Sequence, residues 1–386
     1  MAALPLSMAT ASYAKTDLTL NGSLNARVSE DPYLTGGSGR SSASLVGVLS
    51  PRVTISDVES QLSIGGSVQH SEFSRIYPSS DAVSASVDGN WRFSPHWTVN
   101  ASASFDDSIV GENSFFDFGT ADPTGALPPP TANDLTLAGR RIKRRSFGVQ
   151  AGVMYQPSAR ETVNIGLFAN DSRALATLDS QNYATYGNTF SYSRQVSRRT
   201  SAGLTNTTSR YECRSQGRCF VNSFQPQFTL STGIGIDWTL SASAGATFSQ
   251  VRLPSESANT ISPAGSATLC RRQPRMDICL TASQTIETTV GNGARPSLAL
   301  TSSINYRLDQ KSSVGFNVAY AKSAGSALSR DDYSYLSARI MGSRSIGRRL
   351  SFTVDGGYDR SDSPLLATRS SFSVSMGLSF SLSRGL

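Results

Sequence analysis

The chain has 386 residues, of which 38% are hydrophobic and only 16% charged, with a formal net charge of +7. A mean hydropathy of −0.22 leaves no stretch approaching the roughly 18 consecutive apolar residues that a membrane helix needs, which excludes a helical membrane protein. Scarce charge beside abundant Ser, Thr, Gly and Asn is also foreign to a soluble enzyme surface, so either the chain lacks a core or its apolar residues are hidden in an alternating pattern.

The first fourteen residues, ending in Ser12-Tyr13-Ala14, carry the small-x-small end of an export signal with cleavage expected before Lys15. An ordinary N-terminal extension is the alternative. From residue 15 to 386 the period is two almost everywhere. "DLTLNGSLNARV" places Leu18, Leu20, Leu24, Ala26 and Val28 on one face, and "AVSASVDGNWRF" places Val83, Ala85, Val87, Trp91 and Phe93 on one face. After the turn "SPH", Trp97, Val99, Ala101, Ala103 and Phe105 repeat the pattern, with Thr98, Asn100, Ser102 and Ser104 between them. Such runs are half-apolar strands. They recur from 147, 162, 238, 297, 313 and 350, and end in "RSSFSVSMGLSFSLSRGL", where Phe372, Val374, Met376, Leu378, Phe380 and Leu382 share one face. The alternation is weakest near 183–196, 264–270 and 332–345.

Short turns are expected at about 57–60, 94–96, 157–161, 197–200, 234–237, 271–276, 308–312 and 346–349. Between them fall longer loops at about 30–40, 73–81, 106–145, 171–182, 212–222, 250–263, 288–295, 323–331 and 360–368. This alternation predicts about eighteen strands, with sixteen as the alternative, and puts both chain ends on the short-turn side. A bilayer offers no water to the edges of an open sheet, so the fold class expected is all-β, a transmembrane antiparallel up-and-down barrel whose first and last strands pair. Aromatic girdles are expected from Trp97 and Phe105, Trp238 and Phe248, and Phe352 and Tyr358.

The other parity faces the lumen. Ser241, Ser243 and Thr247 in one strand, and Ser373, Ser375 and Ser379 in the last, are candidate lining residues, too small to fill so wide a cylinder. The third long loop, 106–145, holds Phe115, Phe116, Asp117 and Asp122 and ends in the basic run Arg140, Arg141, Lys143, Arg144 and Arg145. It is a candidate constriction, in the position of the third external loop that narrows the pore of porins, or else a solvated surface loop. The basic run is expected at the outer rim, where Arg pairs with lipopolysaccharide phosphates; turned inward, it would favour anionic solutes. Nucleic-acid binding, which the net charge first suggests, is not supported by any recognised fold for it.

Four cysteines form two close pairs, Cys213 with Cys219 and Cys270 with Cys279, and are read as disulfides. The first is expected to clip the tip of an external loop, and the second to join strands facing one another across a hairpin. Neither pair has Cys-x-x-Cys spacing and there are only two histidines, so no zinc site is expected. His70 falls on the outward parity and His96 in a turn; neither is placed as a catalytic base, so no enzymatic activity and no cofactor is expected.

From about residue 16 to 384 the pattern resembles single-chain outer-membrane β-barrels of Gram-negative bacteria. Its Ser-rich strands and the hairpins "RFSPHW" and "NYRLDQKSS" resemble more narrowly the barrels encoded beside exopolysaccharide-export loci, although the last residue is Leu386 where many outer-membrane barrels end on Phe. The resemblance implies an outer-membrane location, contact with outer-membrane lipid, and a wide conduit for a secreted polysaccharide. It also implies a periplasmic polysaccharide-export protein as partner. A general diffusion porin for small hydrophilic solutes and a structural or adhesive barrel with a plugged lumen remain as alternatives.

Overall fold

A computed structural model describes residues 15–34, 41–110, 142–174, 182–214, 219–252, 257–289, 293–325, 332–363 and 366–385. The expected leader, residues 1–14, lies outside them. Eighteen strands follow one another: β1 (Lys15–Ser29), β2 (Ser42–Ser56), β3 (Ser60–Phe73), β4 (Ser80–Ser94), β5 (Trp97–Val110), β6 (Ile142–Ser158), β7 (Glu161–Ala174), β8 (Tyr183–Gln195) and β9 (Thr200–Cys213). The second half comprises β10 (Cys219–Ile234), β11 (Trp238–Arg252), β12 (Ser257–Arg272), β13 (Met276–Thr289), β14 (Gly293–Arg307), β15 (Ser312–Ser323), β16 (Tyr333–Ser345), β17 (Leu350–Ser363) and β18 (Leu366–Gly385). The three weakly alternating stretches are therefore strands β8, β12 and β16.

Every strand pairs antiparallel with its neighbours in sequence, and β1 closes the cylinder on β18 with Leu20 opposite Leu382 and Leu24 opposite Leu378. Closure leaves no edge strand, as a bilayer demands. The pleat then sorts the side chains. On β18 the outward residues from Phe372 to Leu382 are 38–58% exposed. At about 3.3 Å per residue and a tilt near 40° they cover about 25 Å of height, the depth of an apolar membrane band. Trp97, Phe248 and Phe352 lie on this same outward face and are exposed.

Strict alternation of short and long connections does not survive. β11 ends at Arg252 and β12 begins at Ser257; β13 and β14 are separated only by 290–292, and β17 and β18 only by 364–365. Likewise 106–110 and 142–145, expected in the third loop, belong to β5 and β6, where Asp107 lies opposite Arg145 and Ser108 opposite Arg144. The strands run on past the point where their outward residues turn polar. The ladder needs only backbone pairing, whereas the apolar alternation that marks a strand stops where the wall leaves lipid.

Proline locally interrupts the wall. Pro lacks the N–H that a ladder requires. Pairing between β2 and β3 lapses beside Pro51, and that between β10 and β11 beside Pro226, where a side chain at Gly245 would collide with the Pro226 carbonyl oxygen. Below Pro263, the β12–β13 ladder runs only from Gly265 to Arg272.

Candidate functional site: the inner wall

Side chains of the inward parity make two kinds of surface. Around β2–β13 the wall is laced with cross-strand hydroxyl pairs: Thr54 with Ser63 (3.1 Å), Ser67 with Ser84 (2.7 Å), Ser209 with Ser223 (2.6 Å), Ser231 with Ser241 (3.2 Å), Ser243 with Ser266 (3.0 Å) and Thr268 with Thr281 (3.1 Å). Each hydroxyl can donate and accept, so this surface exchanges hydrogen bonds with water or a hydroxylated solute in either sense. Its end near the short turns is open to solvent, with Thr239 and Ser241 exposed; toward the long connections Thr247, Ser249 and Val251 are buried.

The arc from β14 through β18 to β1 is ionic. Asp359 on β17 is fully buried; Tyr335 Oη donates to its Oδ1 at 2.7 Å, and Arg339 Nη2 to its Oδ2 at 3.3 Å. Arg339 lies across Gly357, where a Cβ would stand in ordinary contact, 3.5 Å from the arginine's Cγ and Nε. Arg27 comes from β1, within electrostatic reach of Arg339, Asp355 and Asp359. Its Nε and Nη2 meet no acceptor among the described residues. Ser375 donates to Asp355. Two arginines and two aspartates balance in charge, and Asp359 and Arg339 are also hydrogen-bonded, as a buried charge requires.

A strap from the connection after β1 lies over this arc. The hydroxyls of Ser29 and Ser371 share a hydrogen bond of 3.0 Å, and Asp31 N donates to Ser371 Oγ at 3.1 Å. Arg369 Nη1 donates to the Leu34 carbonyl at 2.7 Å. Leu34 then packs on Ala319, Ala321, Tyr333 and Tyr335, while Tyr33 meets the rings of Tyr77 and Phe73 at centroid distances of 4.6 and 5.8 Å. The strap therefore reaches from β3 to β15 across the inside of the wall, covering its long-connection half. Behind it, buried Arg295 donates from Nε to the Ala324 carbonyl at 3.0 Å and stacks its guanidinium over Tyr333 at 4.9 Å.

Among the residues singled out from sequence, Ser241, Ser243, Thr247, Ser373, Ser375 and Ser379 all take the inward parity. Ser373 and Thr247 are buried there, and Ser375 is engaged with Asp355. The basic run is split by the pleat: Lys143 and Arg145 share the outward parity of Phe147, and Arg144 takes the inward one. Phe115, Phe116, Asp117, Asp122, Arg140 and Arg141 lie outside the described residues. Cys213 and Cys219 are bridged, with Cα atoms 5.3 Å apart, at the ends of β9 and β10 rather than at a loop tip. Cys270 and Cys279 are bridged directly across the β12–β13 hairpin, with Cα atoms 4.1 Å apart. His70 faces outward, its Nδ1 2.7 Å from Asp81. His96 sits in the β4–β5 turn, its Nδ1 2.7 Å from the Gln156 carbonyl oxygen. Among the described residues no group of three His, Cys, Asp or Glu side chains is placed to hold a metal.

Sequence reasoning missed Arg27, Arg339, Asp355 and Asp359. The signal was present as charged residues on the inward parity, among Ser, Thr, Gly, Asn and Tyr.

No known family profile and no curated protein sequence matches the chain. Its fold is that of solved Gram-negative outer-membrane barrels. OccK7 of Pseudomonas aeruginosa superposes with a TM-score of 0.51 at 9% identity, covering 96% of this chain and 99% of that one. OccAB3 of Acinetobacter baumannii gives 0.51 at 8% identity, covering 96% and 100%. The FrpB iron transporter of Neisseria meningitidis gives 0.52 at 8% identity; 89% of this chain matches only 62% of that longer one. At these identities the likeness establishes the fold.

Proposed function

We propose that the protein is an outer-membrane channel for hydrophilic solutes. One observation carries this reading: a closed cylinder of eighteen strands wears Leu, Val and Phe on its outside and a hydroxyl-rich wall on its inside. Barrels of 16 to 18 strands enclose an aqueous channel. The ionic arc and its strap narrow one half of the lumen, leaving the hydroxyl arc as the surface a solute meets. No catalytic step is part of this reading.

For cargo, small hydroxyl-rich solutes suit an inner surface that donates and accepts hydrogen bonds over most of its circumference. A secreted polysaccharide, passed on by a periplasmic export partner, is the second reading, favoured by the small hydroxyl side chains that pair across the Ser and Thr strands. Refolded protein in planar bilayers is expected to give discrete conductance steps, and proteoliposomes to swell in sugars up to a size limit. Absence of steps would leave a plugged structural barrel. Deleting the gene separates the two cargoes, since unchanged surface polysaccharide removes the second.

A further inference from the structure

At the long-connection end, the outward face of β6–β11 carries charge in place of hydrocarbon. Lys143 Nζ and Arg145 Nη2 both reach Asp107, at 3.3 and 2.9 Å. Arg173 Nε and Arg214 Nη1 both reach Asp171, at 2.9 and 3.2 Å. Arg210 Nε reaches Glu212 at 2.8 Å, and Tyr186 Oη donates to the same carboxylate at 2.8 Å. Arg252, opposite Phe220 in the ladder, completes the row, with Arg210 and Arg252 flanking the Phe220 ring at 4.5 and 5.6 Å. Three carboxylates thus stand against six cations, pairing with five of them, and half of the positive charge is left unbalanced.

Two features show that this surface is more than a solvated rim. Arg145 and Arg173 are register partners, and since Asp107 and Asp171 beside them also carry Lys143 and Arg214, the like charges directly opposite keep an excess of positive charge that an anion would relieve. Next to the cations along the same strands come the exposed apolar residues Phe147, Leu167, Phe224, Phe228 and Phe248, so a molecule resting there meets positive charge at one end and hydrocarbon along its body. The other side of the barrel lacks the excess: outward Glu72 and Asp81 carry only His70 between them, while Lys322 faces Asp332 and Arg360 faces Asp362. Six adjacent strands at about 4.8 Å spacing make the patch about 24 Å wide, broad enough for several headgroups.

We propose that this face binds the phosphate groups of an outer-leaflet glycolipid, with the arginines on the phosphates and the aromatic residues against the acyl chains. Guanidinium matches phosphate in bidentate fashion, and charged residues near the membrane interface cost a barrel little, unlike those at its midplane. The proposal rests on the outer-membrane reading above but not on the passage of any solute.

The test uses the full protein purified in detergent, titrated with bisphosphorylated lipid A and, separately, with lipid A stripped of its phosphates, binding being followed by native mass spectrometry. The expected result is about tenfold or tighter retention of the phosphorylated form, the equivalent of one charge-assisted contact. A variant carrying Arg145→Gln, Arg173→Gln, Arg210→Gln and Arg252→Gln should lose the difference, and one carrying Lys322→Gln and Arg360→Gln should keep it. Equal binding of the two lipids overturns the proposal, as does an equal loss in both variants or displacement of the lipid by inorganic phosphate alone. Should the fourfold variant not fold, the comparison of the two lipids on the unaltered protein decides. Conductance steps without lipid discrimination would sink this proposal and leave the channel standing; discrimination without steps would do the reverse.

Discussion

From β2 to β13 the inner wall holds itself together with hydroxyl pairs between neighbouring strands, each a local contact, whereas from β14 to β1 it depends on charges from several strands meeting under a strap. Ser243 needs only Ser266 beside it, at 3.0 Å. Asp359 needs Tyr335 and Arg339 from the adjoining strand, and Arg27 joins them across the barrel closure. Exposed hydroxyl pairs can be exchanged for water at little cost, so the first arc tolerates change and suits solute contact. Buried charges have no such alternative, so the second arc is rigid and unforgiving. The wall of one cylinder thus combines a wet, adaptable surface with a load-carrying one.

The contrast breaks most visibly at Asp359. Asp359→Ala would leave Arg339 and Arg27 facing one another with a single carboxylate, Asp355, and is expected to destabilise the barrel by about 3–5 kcal/mol. Ser241→Ala on the other arc should stay within about 0.5 kcal/mol. Urea unfolding in lipid vesicles measures both, and equal losses would show that the arcs do not differ. Next in size is the strap. Leu34 is buried against Ala319, Ala321, Tyr333 and Tyr335, so Leu34→Ala should cost about 2–3 kcal/mol and raise single-channel conductance by loosening the cover on the ionic arc. Unchanged conductance would mean that the strap does not limit the passage.

The smallest effect belongs to the turns below both arcs. The Asp57 carboxylate accepts from the N–H groups of Glu59 and Ser60, at 2.7 and 2.6 Å, and these hold its pKa below the usual carboxylate value. Asp309 is lowered in the same way by the N–H groups of Lys311 and Ser312. Carboxylates of depressed pKa stabilise the fold above their unfolded pKa, and that contribution fades as pH falls toward the folded value. Asp57→Ala should therefore weaken the protein slightly at neutral pH and progressively less below the ordinary carboxylate range. A difference that persists at low pH would show that the charge is not the cause.

Much of this architecture is legible along the chain because a pleat is a nearest-neighbour property. The outward run Phe372 to Leu382 and the inward serines beside it follow from counting by twos, as do the eighteen strands and the meeting of the first with the last. Even the division of Lys143 and Arg145 from Arg144 lies in that count, although a basic run invites reading as a single cluster. The upper ends of β5 and β6 were less legible, because Asp107 and Arg145 replace the apolar residues by which a strand is recognised. The ion pairs were legible only as isolated charges on the inward parity, with nothing in the local sequence to say which would meet.

What the sequence determined by itself is the period, and with it the face each residue presents to lipid or lumen, since consecutive side chains on a strand must point to opposite sides. Only the tertiary structure decided which inward residues become neighbours. Ser29 and Ser371 are 342 positions apart, yet they share a hydrogen bond because the ends of the chain complete the ring. The same closure brings Arg27 to Arg339 and Asp359, and lets the strap fold back across the wall. Such contacts depend on how the strands are wrapped, and that information is not local to any of them.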